Sequence, residues 1–210
     1  MVDPHHSMET ENRHSGNRCF GALLRPIALA LLLTLSGGCA LAADTVTAAD
    51  EYPLKAVFLF KVLKFVEWPP EAFSATNAPL VVGVVGEDPF GSVLEKTFQG
   101  ETVQKRPVVI RRLSLTDDAR SCHVLFISRS EQERLGALLD RLGNSPVLTV
   151  GDTAGFAERG TMSNLVLVSD SIKLEINLAA AQQAGLQISS KLLSLDRVLK
   201  VKSKRSPPAP

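Results

Sequence analysis

Four short apolar runs, Leu80–Val85, Val108–Leu113, Cys122–Ser128 and Val147–Val150, punctuate the chain, with helix signals between the first two and between the last two. Strands separated by a helix pair in parallel, because a parallel crossover needs roughly a dozen residues whereas a hairpin needs about two. Cys122–Ser128 is apolar on both faces after His123, as a central parallel strand is when helices cover it on both sides. Leu165–Val168 and Ile172–Ile176 break the alternation. Joined only by Ser169-Asp170-Ser171, they read as an antiparallel hairpin. The expectation is a three-layer α/β/α single domain with a mixed, mostly parallel sheet and a C-terminal antiparallel hairpin.

The helices are predicted from their caps and faces. Tyr52–Val66 is rich in helix formers, sets Lys55, Lys61 and Lys64 on one broad side, and stops at Trp68-Pro69-Pro70. Asp88 before Pro89 predicts an N-capped helix from Pro89 to about Phe98. Ser130 and Glu133 form a capping-box pattern for a helix to Leu142, whose Leu135, Leu138, Leu139 and Leu142 share a face, closed by Gly143-Asn144. Asp152 is read as the cap of a short helix around Phe156 that ends at Gly160. Asn177 and Ser189 precede two final helices, from Leu178 and from Ser190.

Residues 27–35 are apolar apart from Thr34, follow Arg13, Arg18 and Arg25, and lead to Ala40-Leu41-Ala42. A basic lead, a short apolar core and an A-x-A site predict a secretory signal peptide cleaved near Ala42. The apolar run falls well short of the roughly 18 residues of a membrane span. Cys39 follows Ser36-Gly37-Gly38, and a serine three places before the cysteine is a poor lipidation signal, so a free exported protein is expected. The expected organisation is a signal peptide over 1–42, a flexible lead over 43–51, a domain over 52–199 and a basic, proline-rich disordered tail over 200–210. Three of the 23 basic and three of the 22 acidic residues precede residue 43, and five basic ones follow from Arg197 onward. Residues 43–196 therefore hold 15 basic against 19 acidic side chains, a net charge of −4. An acidic body of this kind excludes nucleic acid as a partner.

Histidine and cysteine decide the chemistry. His5, His6, His14, Cys19 and Cys39 all precede the cleavage site, leaving Cys122 and His123. Successive strand residues point to opposite faces, so these two side chains form no thiolate–imidazole pair. Zinc needs three or four ligands, so no metal site is expected, and no internal disulfide. Gly83-Val84-Val85-Gly86-Glu87-Asp88-Pro89 is a strand-to-helix turn, but Glu87 and Asp88 would repel a phosphate there. No catalytic residue and no cofactor are predicted. What remains is surface: Lys173 and Glu175 share one strand face, Asn177 follows them, and Trp68 and Phe156 lie beside irregular backbone as candidate aromatic anchors for a partner.

Five blocks then carry a resemblance: Lys64-Phe65-Val66-Glu67-Trp68-Pro69, Gly86-Glu87-Asp88-Pro89-Phe90-Gly91, Cys122-His123-Val124-Leu125-Phe126-Ile127, Leu148-Thr149-Val150-Gly151-Asp152 and the stretch from Glu175 to Leu193. In that order they resemble the YfiR/HmsC-like family, over about Tyr52 to Leu195. The resemblance implies a periplasmic repressor that binds the periplasmic sensor domain of an inner-membrane diguanylate cyclase, lowering cyclic di-GMP and biofilm formation. An outer-membrane lipoprotein and a second copy of the chain are further implied partners. The alternative is a periplasmic small-molecule sensor with a pocket near Trp68 and the last two helices. Cysteine pairs of the family correspond here to Gly83 with Cys122 and to Ala157 with Asn164, so only Cys122 is kept. Thr161 stands where a second glycine is common in the family. By position, Glu175 matches an acidic residue of the family's partner-binding surface.

Overall fold

The computed structural model describes residues 48–202 and Lys204. The expected signal peptide with Cys39 and Ala42, Ser203 and residues 205–210 lie outside the described residues. Helix α1 (Ala48–Leu63) leads into the short strand β1 (Val66–Glu67). The sheet is built from β2 (Leu80–Val85), β3 (Thr102–Val103), β4 (Arg106–Leu113), β5 (Val124–Ile127), β6 (Leu148–Gly151), β7 (Ser163–Val168) and β8 (Ser171–Ile176). Helix α2 (Val93–Phe98) follows β2, and α3 (Leu135–Leu142) follows β5. The chain ends with α4 (Leu178–Gln183), β9 (Gln187–Ile188), α5 (Ser190–Leu193) and β10 (Val198–Lys200).

The strand order is β10-β8-β7-β6-β5-β2-β4-β3. Strands β4, β2, β5, β6 and β7 run parallel. Strand β8 turns back antiparallel on β7, and β10 lies parallel along the outer edge of β8. The α/β architecture, the mostly parallel sheet and the terminal hairpin are those read from the sequence. The hairpin turns at Ser169 and Asp170, both at positive φ (47° and 59°), the tight loop whose twist matches that of paired strands. Strands β1 and β9 form a separate antiparallel pair, Val66 opposite Ile188.

Strand alternation gives the sheet two cores. Val82, Val84, Val124, Phe126, Leu148 and Val150 pack with α1, α2, α4 and α5. Leu125, Ile127 and Cys122 point the other way, onto the leucines of α3 and onto Phe156. Cys122, just before β5, joins this second core, whereas the His123 ring meets Phe73, which packs against the first. The buried Trp68 indole N–H donates to the His123 carbonyl oxygen at 3.0 Å. The His123 ring accepts from the Val81 amide at Nδ1 (3.0 Å), with Nε2 at 3.1 Å from the Ala72 carbonyl oxygen, and it stacks on Phe73 at 4.3 Å. This histidine pins the segment after α1 to the edges of β2 and β5. Burial, and then the charge of Arg106, push its pKa below the usual imidazole value.

Several local expectations give way to tertiary contacts. Helix α2 starts only at Val93, because Gly91 adopts φ 53° and Asp88 closes a turn by accepting from the Phe90 amide at 2.8 Å. The Ser130 hydroxyl caps no helix; it accepts from the Glu87 amide at 2.9 Å, and a 3₁₀ segment, Arg129–Arg134, leads into α3. No helix forms around Phe156, where the chain makes consecutive turns. Lys200, assigned to the tail by sequence, ends β10, and beyond it the Val201 amide donates to the Ile176 carbonyl at 2.8 Å and the Lys204 amide to the Glu158 carbonyl at 2.7 Å.

Lys55 departs furthest from its expected place. It is fully buried rather than solvated, with Nζ at 2.5 Å from Glu51 Oε1, 3.7 Å from Asp152 Oδ2 and 3.4 Å from the Asp152 carbonyl oxygen. Tyr52 donates its hydroxyl to Asp152 Oδ2 at 2.9 Å, and burial with the Asp152 charge raises its pKa far above the ordinary phenol value. Asp152, read as a helix cap, instead anchors α1 to the end of β6.

Two outcomes are expected. Lys55→Ala strands a buried carboxylate and is expected to destabilise the fold by about 3–5 kcal/mol in urea unfolding, because breaking a buried pair leaves an uncompensated charge; a change of only a few tenths would remove the clamp. His123 has a folded-state pKa below its unfolded value of about 6.5, so the unfolded chain binds more protons as pH falls. Its stabilising effect is present above that pH and is lost as pH falls towards the depressed value. Urea midpoints measured between about pH 7.5 and 5.5 should therefore drop in the wild type and stay flatter in His123→Gln; identical slopes would contradict this role.

Candidate partner-binding face

Helical cover is unequal on the two faces of the sheet. The core beneath α3 takes its strand side chains from β2, β4 and β5, with Val147 just before β6, and none from β7 or β8. On that side the hairpin and β10 carry Asn164, Val166, Lys173, Glu175 and Leu199, with Glu175 opposite both Asn164 and Leu199, and Lys173 opposite Val166. Val166 is 7% exposed yet belongs to neither core, and Val168 and Leu199 are each 47% exposed. Apolar side chains interleaved with one acid and one base, with no helix of the described residues above them, make a surface suited to a protein partner.

Glu175 is the fixed point of this face. Its Oε2 accepts from Asn164 Nδ2 at 2.8 Å, and the same amide donates to the Thr153 carbonyl oxygen at 2.8 Å. Asn164 is completely buried and has little room to move. A Cβ on Gly151 would stand 2.8 Å from Asn164 Oδ1 and 2.6 Å from the Phe156 ring, so the bare glycine backbone admits both side chains. Thr153 donates its hydroxyl to Asp152 Oδ1 at 3.0 Å, which continues the polar contacts to Tyr52 and Lys55 on α1. Sequence reasoning singled out neither Asn164 nor Lys55. The hairpin register alone, extended by one residue beyond Leu165, would have placed Asn164 across from Glu175.

Of the sequence-predicted residues, Lys173 and Glu175 do share a half-exposed strand face. Trp68, Phe156 and Asn177 are buried and present no anchor to a partner. Trp68 turns its indole inward to reach the His123 carbonyl, and Phe156 lies over Gly151 in the second core. Asn177 caps α4, accepting from the Ala180 amide at 3.2 Å and donating Nδ2 to the Ala157 carbonyl at 3.1 Å. It holds the turn after β8 in place.

Chemistry on substrates finds little to work with. Cys122 is buried, and burial pushes its thiol pKa upward, away from the reactive thiolate. Its sulfur lies 2.8 Å from where a Cβ of Gly83 would be, the juxtaposition that the family's cysteine pair implies. Among the described residues no three His, Cys, Asp or Glu side chains converge as a metal site, and no helix is long and apolar enough to cross a membrane.

Comparison with known proteins agrees with this fold. A profile described as YfiR/HmsC-like matches residues 52–197. No curated protein matches the chain. A crystal structure titled as a conserved domain protein from Vibrio cholerae O1 biovar eltor is similar at 13% identity and a TM-score of 0.51, covering 72% of this chain and 60% of that one. The chain thus spans under two thirds of that neighbour, and at such identity the likeness concerns the fold alone. The chain belongs to the YfiR/HmsC-like family, a family of periplasmic regulators in cyclic di-GMP signalling rather than of enzymes.

Proposed function

We propose that this protein is exported to the periplasm and represses an inner-membrane diguanylate cyclase by docking on its periplasmic sensor domain. The observation that carries the reading is the face of β7, β8 and β10 over which no described helix packs, with the half-exposed Glu175 carboxylate held by Asn164. A carboxylate fixed before binding loses little freedom on contact with a basic or amide group, so its hydrogen bonds contribute to affinity with small entropic loss. Repression is then a population shift: the repressor binds the inactive state of the cyclase more tightly, and cyclic di-GMP falls. Sequestration of the repressor by an outer-membrane lipoprotein would release the enzyme.

A second reading has its own observation. A cleft of about 550 Å³ lies between α1 and the segment from α5 to β10, walled by Phe58, Val62, Phe65, Leu174, Leu192 and Leu195. It adjoins the last helix, as the sensor alternative expects, though Trp68 does not line it. Two phenyl rings suit an aromatic ligand.

In cells, Glu175→Arg is expected to raise cyclic di-GMP towards the level of a deletion strain while the purified variant keeps its unfolding midpoint. Unchanged nucleotide in both strains would sink the repressor reading. The sensor reading expects a raised melting temperature with at least one aromatic metabolite, through mass action on the folded state, and a lower shift in Phe58→Ala; a screen without any stabilising compound counts against it.

A further inference from the structure

A groove of about 460 Å³ opens between the C-terminal end of α3, the start of β6, the first turn of α4 and the chain leaving β10. Its floor is aliphatic: Leu139, Leu142, Val147, Met162, Ile176 and Leu178. Lys200 and Lys202 stand on its rim, and no carboxylate is among its lining residues. Three other concavities mix both signs: Lys61, Lys64 and Arg197 with Asp196, Arg120 and Arg141 with Asp118, and Lys96 with Glu95 and Glu101. On a body whose residues 43–196 carry a net charge of −4, an acid-free groove with two ammonium groups reverses the local sign. An anion is attracted there and meets no like charge on the walls. The backbone between the lysines is tied to β8, since the Val201 amide donates to the Ile176 carbonyl at 2.8 Å.

The floor narrows the ligand class. No aromatic ring lines the groove, so it offers no stacking plane, and its leucine, valine, isoleucine and methionine surface suits a flexible alkyl chain. Its volume falls in the size range of small-molecule sites, roughly 300–1,000 Å³. We propose that this groove binds a medium-chain fatty-acid anion, with the acyl chain on the aliphatic floor and the carboxylate between Lys200 and Lys202. The site is separate from the phenyl-walled cleft and stands apart from the cyclase reading. Ile176, at the end of β8, lines it next to Glu175, so a bound chain touches the strand that carries the docking carboxylate.

Isothermal titration of the purified protein with sodium decanoate, kept below its micelle concentration, is expected to show saturable binding at one site. Reversing both rim charges, Lys200→Glu with Lys202→Glu, should weaken that binding about tenfold or more. Ala180→Phe, which places a ring in the groove, should abolish it, and neutral decanol should bind more weakly than decanoate. Circular dichroism checks that each variant is folded, and because the lysines are exposed and Ala180 lines the groove from α4, the two variants fail for different reasons if they fail. The proposal is overturned by no saturable heat with wild-type protein, by unaltered binding in both variants, or by equal affinities for decanoate and decanol. None of these results bears on cyclic di-GMP in the Glu175→Arg strain, so the two readings fall separately.

Discussion

A parallel sheet buried on both faces needs helices on both, and this chain does not supply them equally. Among the described residues four helices, α1, α2, α4 and α5, pack on one face, while α3 is the one that covers the other. The second core therefore ends at β6, where Phe156 closes it over Gly151. Strands β7, β8 and β10 lie beyond that limit, with one face packed on the first core and the other under no described helix. An antiparallel hairpin tolerates this arrangement, because alternation can put polar residues on the bare side. Asn164, Lys173 and Glu175 occupy it accordingly. The location of the candidate docking face thus follows from how many helices the chain has and where they fall.

The same geometry explains why charge is buried at the end of β6. Helix α1 crosses the first core and must be fixed against a sheet edge made of backbone ends and loops. Lys55 meets Asp152 and Glu51 there, and Tyr52 shares the Asp152 carboxylate. A buried ion pair of this kind adds little net stability over an apolar replacement, but it enforces one register of α1 on the sheet. From Asp152 the contacts run through Thr153 to Asn164 and so to Glu175. The Glu175 carboxylate and the first helix therefore rest on one set of hydrogen bonds at the β6 end.

The parallel strands and the hairpin were legible because each is a short apolar run with clear punctuation, and their order follows from connection length. Caps were read less well. Asp88, Ser130 and Asp152 each carry a side chain able to cap a helix, and each bonds elsewhere: to a local turn, to the neighbouring strand end and to Tyr52. Local capping energies of about 1 kcal/mol are easily outweighed by tertiary contacts. Lys55 was misplaced for a related reason. Its burial depends on Asp152, almost a hundred residues away, and no window of sequence contains both. Irregular backbone around Trp68 and Phe156 reads as a surface feature in the sequence, whereas both side chains turn inward and are buried. Strand β10 was hidden by its composition, since Val198–Lys200 is mostly exposed and pairs only at an edge.

A docking face acts on an enzyme only through the difference in its affinity for the enzyme's two states, and that requirement constrains what this face must be. Moving an equilibrium from mostly active to mostly inactive takes about a 10⁴-fold preference, near 5.5 kcal/mol. Exposed charge pairs contribute about 0–1 kcal/mol each, so Lys173 and Glu175 as free surface charges would fall far short. A carboxylate already oriented by a buried amide, with Leu199 directly across from it, is different: a partner that covers it dries the contact, and hydrogen bonds to a desolvated charge discriminate sharply between a matching and a mismatched donor. On the proposed reading, the discriminating power of the surface would lie in the rigidity that Asn164 gives Glu175, with the apolar neighbours supplying the water exclusion that lets that rigidity count.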